Sequence, residues 1–190
     1  MTPIATETTK PSFVYVTYIA TTPEKVWQAF MDTDIMAQYW VGPTSECARV
    51  NVSDWKVGST WQHVRVDDTH TVDICGKVVE CHPPSRLVYT WARPSEVADE
   101  SKHSRVEIDI EQRIDGLVRL TVSHVDLEKD PQMLMGISGG WPSVLSNLKT
   151  FLETGKVLPR VAMPSNREGL EPMLPRRTTH WRVSCSGQAL

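Results

Sequence analysis

The feature that most restricts this chain's fold is a change of hydrophobic period near residue 140. From residue 46 to 126 apolar and polar side chains alternate in short runs broken by turn residues, the pattern of strands with one buried face. In "GGWPSVLSNLKTFLETG", residues 139–155, the period becomes three and four. Trp141, Val144, Leu145, Leu148 and Leu152 form one stripe, while Ser143, Asn147, Lys149 and Glu153 are polar elsewhere on the helix. The expected helix covers 141–153, with Pro142 in its first turn and Gly155 as the C-cap glycine. A single amphipathic helix after an antiparallel sheet buries its stripe by lying across the sheet's concave face.

Earlier residues fit the same plan. "SFVYVTYIA", 12–20, alternates and reads as a strand. "TTPEKVWQAF" follows as a helix capped by Thr21 or Thr22, with Pro23 in the first turn and Val26, Trp27, Phe30 and Met31 as its apolar face. "DTDIMAQYWVGP" predicts a short second helix, started by Asp34 and stopped before Pro43. The expectation is therefore an α+β fold of the helix-grip (START/Bet v-like) type over 12–155. A flexible N-terminus, 1–11, precedes it, and a Pro/Arg-rich tail, 156–190, follows.

Charge narrows the function. Residues 156–190 hold six Lys/Arg and two Glu, so the net charge of -3 divides into about +4 there and about -7 before it. An acidic domain is a poor match to nucleic acid, whose phosphates call for a basic face. "MTPIATETTKP" has no apolar signal-like core and no run reaches the roughly 18 apolar residues of a membrane span, so a cytoplasmic protein without membrane insertion is expected. Cys75 and Cys81 are six apart on one predicted strand, hence ~20 Å apart. With Cys47 and Cys185 they read as reduced packing residues; no metal and no cofactor are expected.

Hairpin registers suggest which side chains face inward, because a slip of one residue moves every side chain to the other face. Around "VDDTHT", pairing Arg65 with Val72, His63 with Ile74 and Trp61 with Gly76 gathers the apolar residues on one side. In "EIDIEQRIDGLVRLTVSH", a three-residue loop 114–116 pairs Ile110 with Leu120, Ile108 with Val122 and Val106 with His124, and sets Glu111 across from Arg119. A four-residue "PPSR" loop would put Tyr89 beside Glu80 and Trp91 beside Val78. The inner face then carries Trp61, His63, Glu80, Tyr89, Trp91 and His124, with Trp141 and Leu145 from the helix. Apolar walls with sparse polar groups are the make-up of a small-molecule pocket; the plainer reading is a filled core with satisfied polar tips. His63 and His124 are the candidate catalytic residues if a proton is moved there.

"GISGG", 136–140, fits the G-x-S-x-G pattern of a hydrolase nucleophile elbow. The residues before it do not read as a strand, no Asp follows Ser138, and the one later His is His180. Hydrolase chemistry at Ser138 is therefore set aside, and the glycines read as a tight lead-in to the helix.

The segments "PEKVWQAFMDTDIMAQYWVGP", "KVGSTWQ", "GKVVECHPPSRLVYTW", "SRVEIDIEQ", "LVRLTVSH" and "GGWPSVLSNLKTFLE", in this order, resemble the START-like (SRPBCC) superfamily. Within it they are similar to the branch of the ATPase-activator domain of the ninety-kilodalton heat-shock chaperone. Gly58-Ser59 stands where that family often has two glycines. The resemblance implies a cavity between sheet and last helix. It implies no single activity, since relatives include lipid and hormone carriers, polyketide cyclases, a self-sacrificing resistance protein and co-chaperones. The leading expectation is binding of a small hydrophobic or aromatic molecule. A cyclase or dehydratase in the same cavity comes second and a protein-interaction module third, with a homodimer or a chaperone as the protein partner. No second domain like that of the full chaperone activators is expected.

Overall fold

The computed structural model describes residues 10–41, 47–128 and 130–159. Seven antiparallel strands form one sheet in the order β1-β7-β6-β5-β4-β3-β2. They are β1 (Phe13–Ile19), β2 (Arg49–Ser53), β3 (Thr60–Arg65), β4 (Val72–His82), β5 (Arg86–Trp91), β6 (Ser104–Ile114) and β7 (Leu117–Val125). Helices α1 (Pro23–Met31) and α2 (Thr33–Tyr39) link β1 to β2, and α3 (Pro131–Thr154) lies along the curled sheet. This is the expected helix-grip fold. The inward stripes of sheet and helices meet in one core, in which Ile19, Phe30, Met36, Trp61, Leu120 and Leu148 are fully or almost fully buried.

Local rules account for most element ends. Pro23 occupies the first turn of α1, where its missing N–H costs nothing. The cap of α2 is Asp32 rather than Asp34: its Oδ1 accepts from the backbone N–H groups of Asp34 and Ile35. Gly155 ends α3 at φ 71°, a left-handed position that favours glycine.

The start of α3 differs from the expectation. Asp130 caps it, accepting from Met133 N, and the helix runs unbroken through Gly136, Ser138, Gly139 and Gly140. The glycines therefore do not form a tight turn. Ser138 Oγ donates to Leu134 O one turn back at 2.6 Å on the exposed side, an ordinary helical serine. Asn147 is buried rather than solvated; its Nδ2 donates to Tyr39 O and its Oδ1 accepts from Leu158 N, tying α3 to α2 and to the chain beyond Gly155.

Registers agree with expectation in one hairpin and depart in two. The β6–β7 pairs Ile110–Leu120, Ile108–Val122, Val106–His124 and Glu111–Arg119 all form, with Gly116 at φ 72°. In β3–β4, Trp61–Gly76 and His63–Ile74 form, but a bulge after His63 pairs Val64 with Val72. Arg65 consequently turns to Asp73, at 2.8 Å. In β4–β5 the loop is three residues rather than four, and a bulge between Val78 and Glu80 places Tyr89 against Val78 and Glu80 against Val88. Glu80 leaves the interior and binds Arg86 at 2.9 Å, within a cluster that also holds Glu107 and Asp109.

The described cysteines, Cys47, Cys75 and Cys81, are free thiols. Among the described residues there is no group of three or more potential metal ligands, and no helix is long and apolar enough to cross a membrane. The expected tail lies outside the described residues, apart from 156–159, which follow α3 without helix or strand.

Candidate ligand-binding site

A pocket of about 370 Å³ opens at one end of the grip, between the first half of α3 and the β3–β5 part of the sheet. Its sheet side is His63, Ile74, Trp91 and Arg93; its helix side is Gln132, Met133, Gly136, Ile137, Gly140, Trp141 and Val144; Trp40 closes it from the end of α2. Trp40, Trp91 and Trp141 form the aromatic walls: Trp40 and Trp141 lie 5.5 Å apart, Trp91 and Trp141 5.9 Å, and the His63 ring stands 5.2 Å from Trp40 and 6.1 Å from Trp91. The volume falls within the usual range for small-molecule sites, and the lining is mainly apolar.

The structure separates the expected site residues into three groups. His63, Trp91 and Trp141 line the pocket. Trp61, Tyr89, His124 and Leu145 are buried behind it as support. Trp61 meets Tyr89 edge to face, with ring centroids 4.7 Å apart, and donates its Nε1–H to Thr90 O at 2.8 Å. Burial pushes the Tyr89 hydroxyl well up, and that hydroxyl has no hydrogen-bond partner among the described residues. Glu80 is the third group and lies outside.

The two histidines have different fates. His124 accepts from Trp141 Nε1–H at its Nδ1 at 3.3 Å, so its proton sits on Nε2 and is donated to Ser104 Oγ at 2.8 Å; Ser104 in turn donates to Trp91 O. Both ring nitrogens are occupied, and burial lowers its pKa to about 4. His124 is thus a neutral hydrogen-bonded core residue that fixes the Trp141 indole. Among the described residues His63 is bonded on one side only, Nδ1 to Asn51 Oδ1 at 2.6 Å. Burial, assisted by the Arg49 charge and opposed by Asp73, lowers its pKa to about 4 as well.

Trp40, Arg93, Met133 and Ile137 were not anticipated. Trp40 sits immediately after a helix too short to announce its facing, and Met133 and Ile137 belong to helix turns hidden by the glycine-rich spelling. Arg93 crosses the pocket mouth to Asp130, the α3 cap, and to Glu96 at 3.3 Å. That bridge ties the end of β5 to the start of the helix.

Solved structures share this architecture. CalU16 from Micromonospora echinospora is similar at 19% identity and TM-score 0.56, over 76% of this chain and 77% of that one. PFC0360w, an HSP90 activator from Plasmodium falciparum, is 19% identical with TM-score 0.57, over 74% of this chain and 95% of that one. The Aha1 dimer from Colwellia psychrerythraea is 20% identical with TM-score 0.58, over 77% and 98%. At such identities the likeness speaks for the fold alone. The comparison with curated proteins finds no match. The family described as Activator of Hsp90 ATPase homolog 1-like protein matches residues 20–153, from the end of β1 to the last turn of α3, and this chain belongs to that family.

Proposed function

We propose that this chain is a cytoplasmic binding protein that holds a small, largely apolar or aromatic molecule in the pocket between sheet and α3. The observation that carries the reading is the convergence of three indoles, Trp40, Trp91 and Trp141, with one buried histidine on an opening of about 370 Å³. Most cores of this size fill such a space with their own side chains. Here Gly136 and Gly140 line it from the helix, and a Cβ at either would meet nothing within 4 Å.

A cyclase- or dehydratase-type activity in the same pocket is the weaker reading, because His124 has both nitrogens engaged and would leave His63 as the one histidine among the described residues that line it. A protein-contact role has one observation in its favour. Val14, Val16 and Tyr18, on the outer face of the edge strand β1, are 58%, 44% and 49% exposed, a row of apolar surface suited to a second copy or to a chaperone.

Native mass spectrometry of freshly purified full-length protein, followed by extraction of anything bound, tests the first reading. The expected outcome is a retained small molecule whose addition back changes tryptophan fluorescence, with the change reduced in Trp91→Phe and Trp141→Phe. A bound molecule whose signal survives both substitutions unaltered would place the site elsewhere. Sedimentation velocity tests the second copy directly.

A further inference from the structure

We infer that the pocket's occupant carries a neutral aromatic hydroxyl that donates a hydrogen bond to His63 Nε2. The inference rests on the cavity reading above and makes its ligand chemistry specific.

The argument begins with the imidazole's single proton. An amide oxygen only accepts, so the 2.6 Å contact between His63 Nδ1 and Asn51 Oδ1 places the proton on Nδ1. Nε2 then presents a lone pair. No described group donates to it, and it is not among the polar atoms sealed from solvent without a partner, so it opens onto the pocket that His63 lines. The side chain is otherwise 95% buried, counting from its 5% exposure. A buried acceptor at the wall of a cavity calls for a donor from the ligand.

Charge decides the kind of donor. Among the described residues Arg93 is the one charged group lining the pocket, and Asp130 and Glu96, both on its Nη1, already balance its charge. A carboxylate would find no unbalanced cation in that lining, and an ammonium would find no acid there. Burial also keeps His63 uncharged near neutrality, so it cannot pair with an anion. What remains is a neutral donor. The indoles of Trp40 and Trp91, 5.2 and 6.1 Å from the His63 ring, favour an aromatic body beside it, and a ring hydroxyl is a better donor to imidazole than an aliphatic alcohol.

The test is an NMR titration of the ¹⁵N-labelled full chain with three probes on one ring system: 2-naphthol, its methyl ether, and the anion 2-naphthoate. We expect 2-naphthol to bind about tenfold more tightly than the ether, the scale of one buried hydrogen bond, and naphthoate to bind weakest. The histidine protonated on Nδ1, a signature that separates His63 from His124, should shift at Nε2 with the naphthol and not with the ether. Equal affinity for naphthol and ether would overturn the hydroxyl inference while leaving the cavity reading in place. Preference for naphthoate would overturn it in favour of an anion. Failure of all three to move the Trp91 and Trp141 indole N–H signals would remove both readings. His63→Phe should equalise naphthol and ether; if that variant does not fold, a wild-type His63 found protonated on Nε2 is by itself enough to refute the inference.

Discussion

Gly76→Ala should be the most damaging small substitution in the sheet behind the pocket. Gly76 lies opposite Trp61, and a Cβ built on it would stand 2.0 Å from the Thr90 carbonyl oxygen, 2.7 Å from its carbon and 2.8 Å from Thr90 Oγ1. Ordinary contact begins at 3.4 Å, so β4 and β5 would have to part by about 1.4 Å, the difference from 2.0 Å. The carbonyl is not free to swing away, because it accepts from Trp61 Nε1 at 2.8 Å, and Thr90 Oγ1 accepts from Lys77 N at 2.9 Å. Overpacking costs ~1–3 kcal/mol, and stranding the buried Trp61 N–H adds ~1–3 kcal/mol. A loss of about 2–6 kcal/mol follows, which for a domain of this length lowers Tm by roughly 4–24 °C. Urea and thermal unfolding followed by circular dichroism would measure it. Gly139→Ala is the control: it is exposed, helical, and its new methyl meets nothing, so it should stabilise by about 0.5–1 kcal/mol. A Gly76→Ala loss below about 1 kcal/mol would refute the claim that the Thr90 carbonyl is held in place.

Stability should also fall as pH drops from about 6.5 toward 4. His63 and His124 have folded-state pKa values lowered to about 4, so the unfolded chain binds more protons within that window and protonation favours unfolding; each contributes up to about 3 kcal/mol, and a urea midpoint independent of pH between 7 and 4.5 would contradict this. Trp141→Phe removes the donor to His124 Nδ1 and should cost about 1–2 kcal/mol by urea unfolding, with no loss if that 3.3 Å bond carries nothing. Arg86→Met leaves Glu80, Glu107 and Asp109 facing one another, and should cost about 1–2 kcal/mol at low salt and less at 0.5 M salt, about the Debye screening range of such a cluster; equal losses at both salt levels would mean the guanidinium acts by packing alone.

The β6–β7 hairpin is readable from its letters because three separate demands select one register: Gly116 needs its loop position, the isoleucines and valines need one face, and Glu111 needs Arg119 opposite. That agreement carried His124 correctly into the interior. The β4–β5 hairpin offers no such redundancy. A bulge inserts one residue without any marking residue type, and it moved Glu80 from the expected inner face to the Arg86 cluster. The lining of the candidate pocket was legible in kind, as indoles and a histidine on an apolar face, and not in extent. Trp61, Tyr89 and Leu145 share the inner face with the lining residues but lie a layer deeper, and depth is set by how the helix and sheet meet rather than by alternation. Trp40 reaches the pocket from across the fold, a long-range contact that no local period encodes.

The unbroken passage of α3 through Gly136, Gly139, Gly140 and Pro142 has a kinetic consequence. Each glycine costs roughly 1 kcal/mol of helix stability relative to alanine, and a proline inside a helix about 3 kcal/mol; Pro142 also leaves the Ser138 carbonyl without its usual backbone donor. The helix segment that walls the pocket is therefore intrinsically the weakest part of the helix, while Leu145 and Leu148, fully buried, anchor the part beyond it. Amide hydrogens of residues 136–141 should exchange faster than those of 145–152, so the wall against which a bound molecule rests is the part of α3 that yields first.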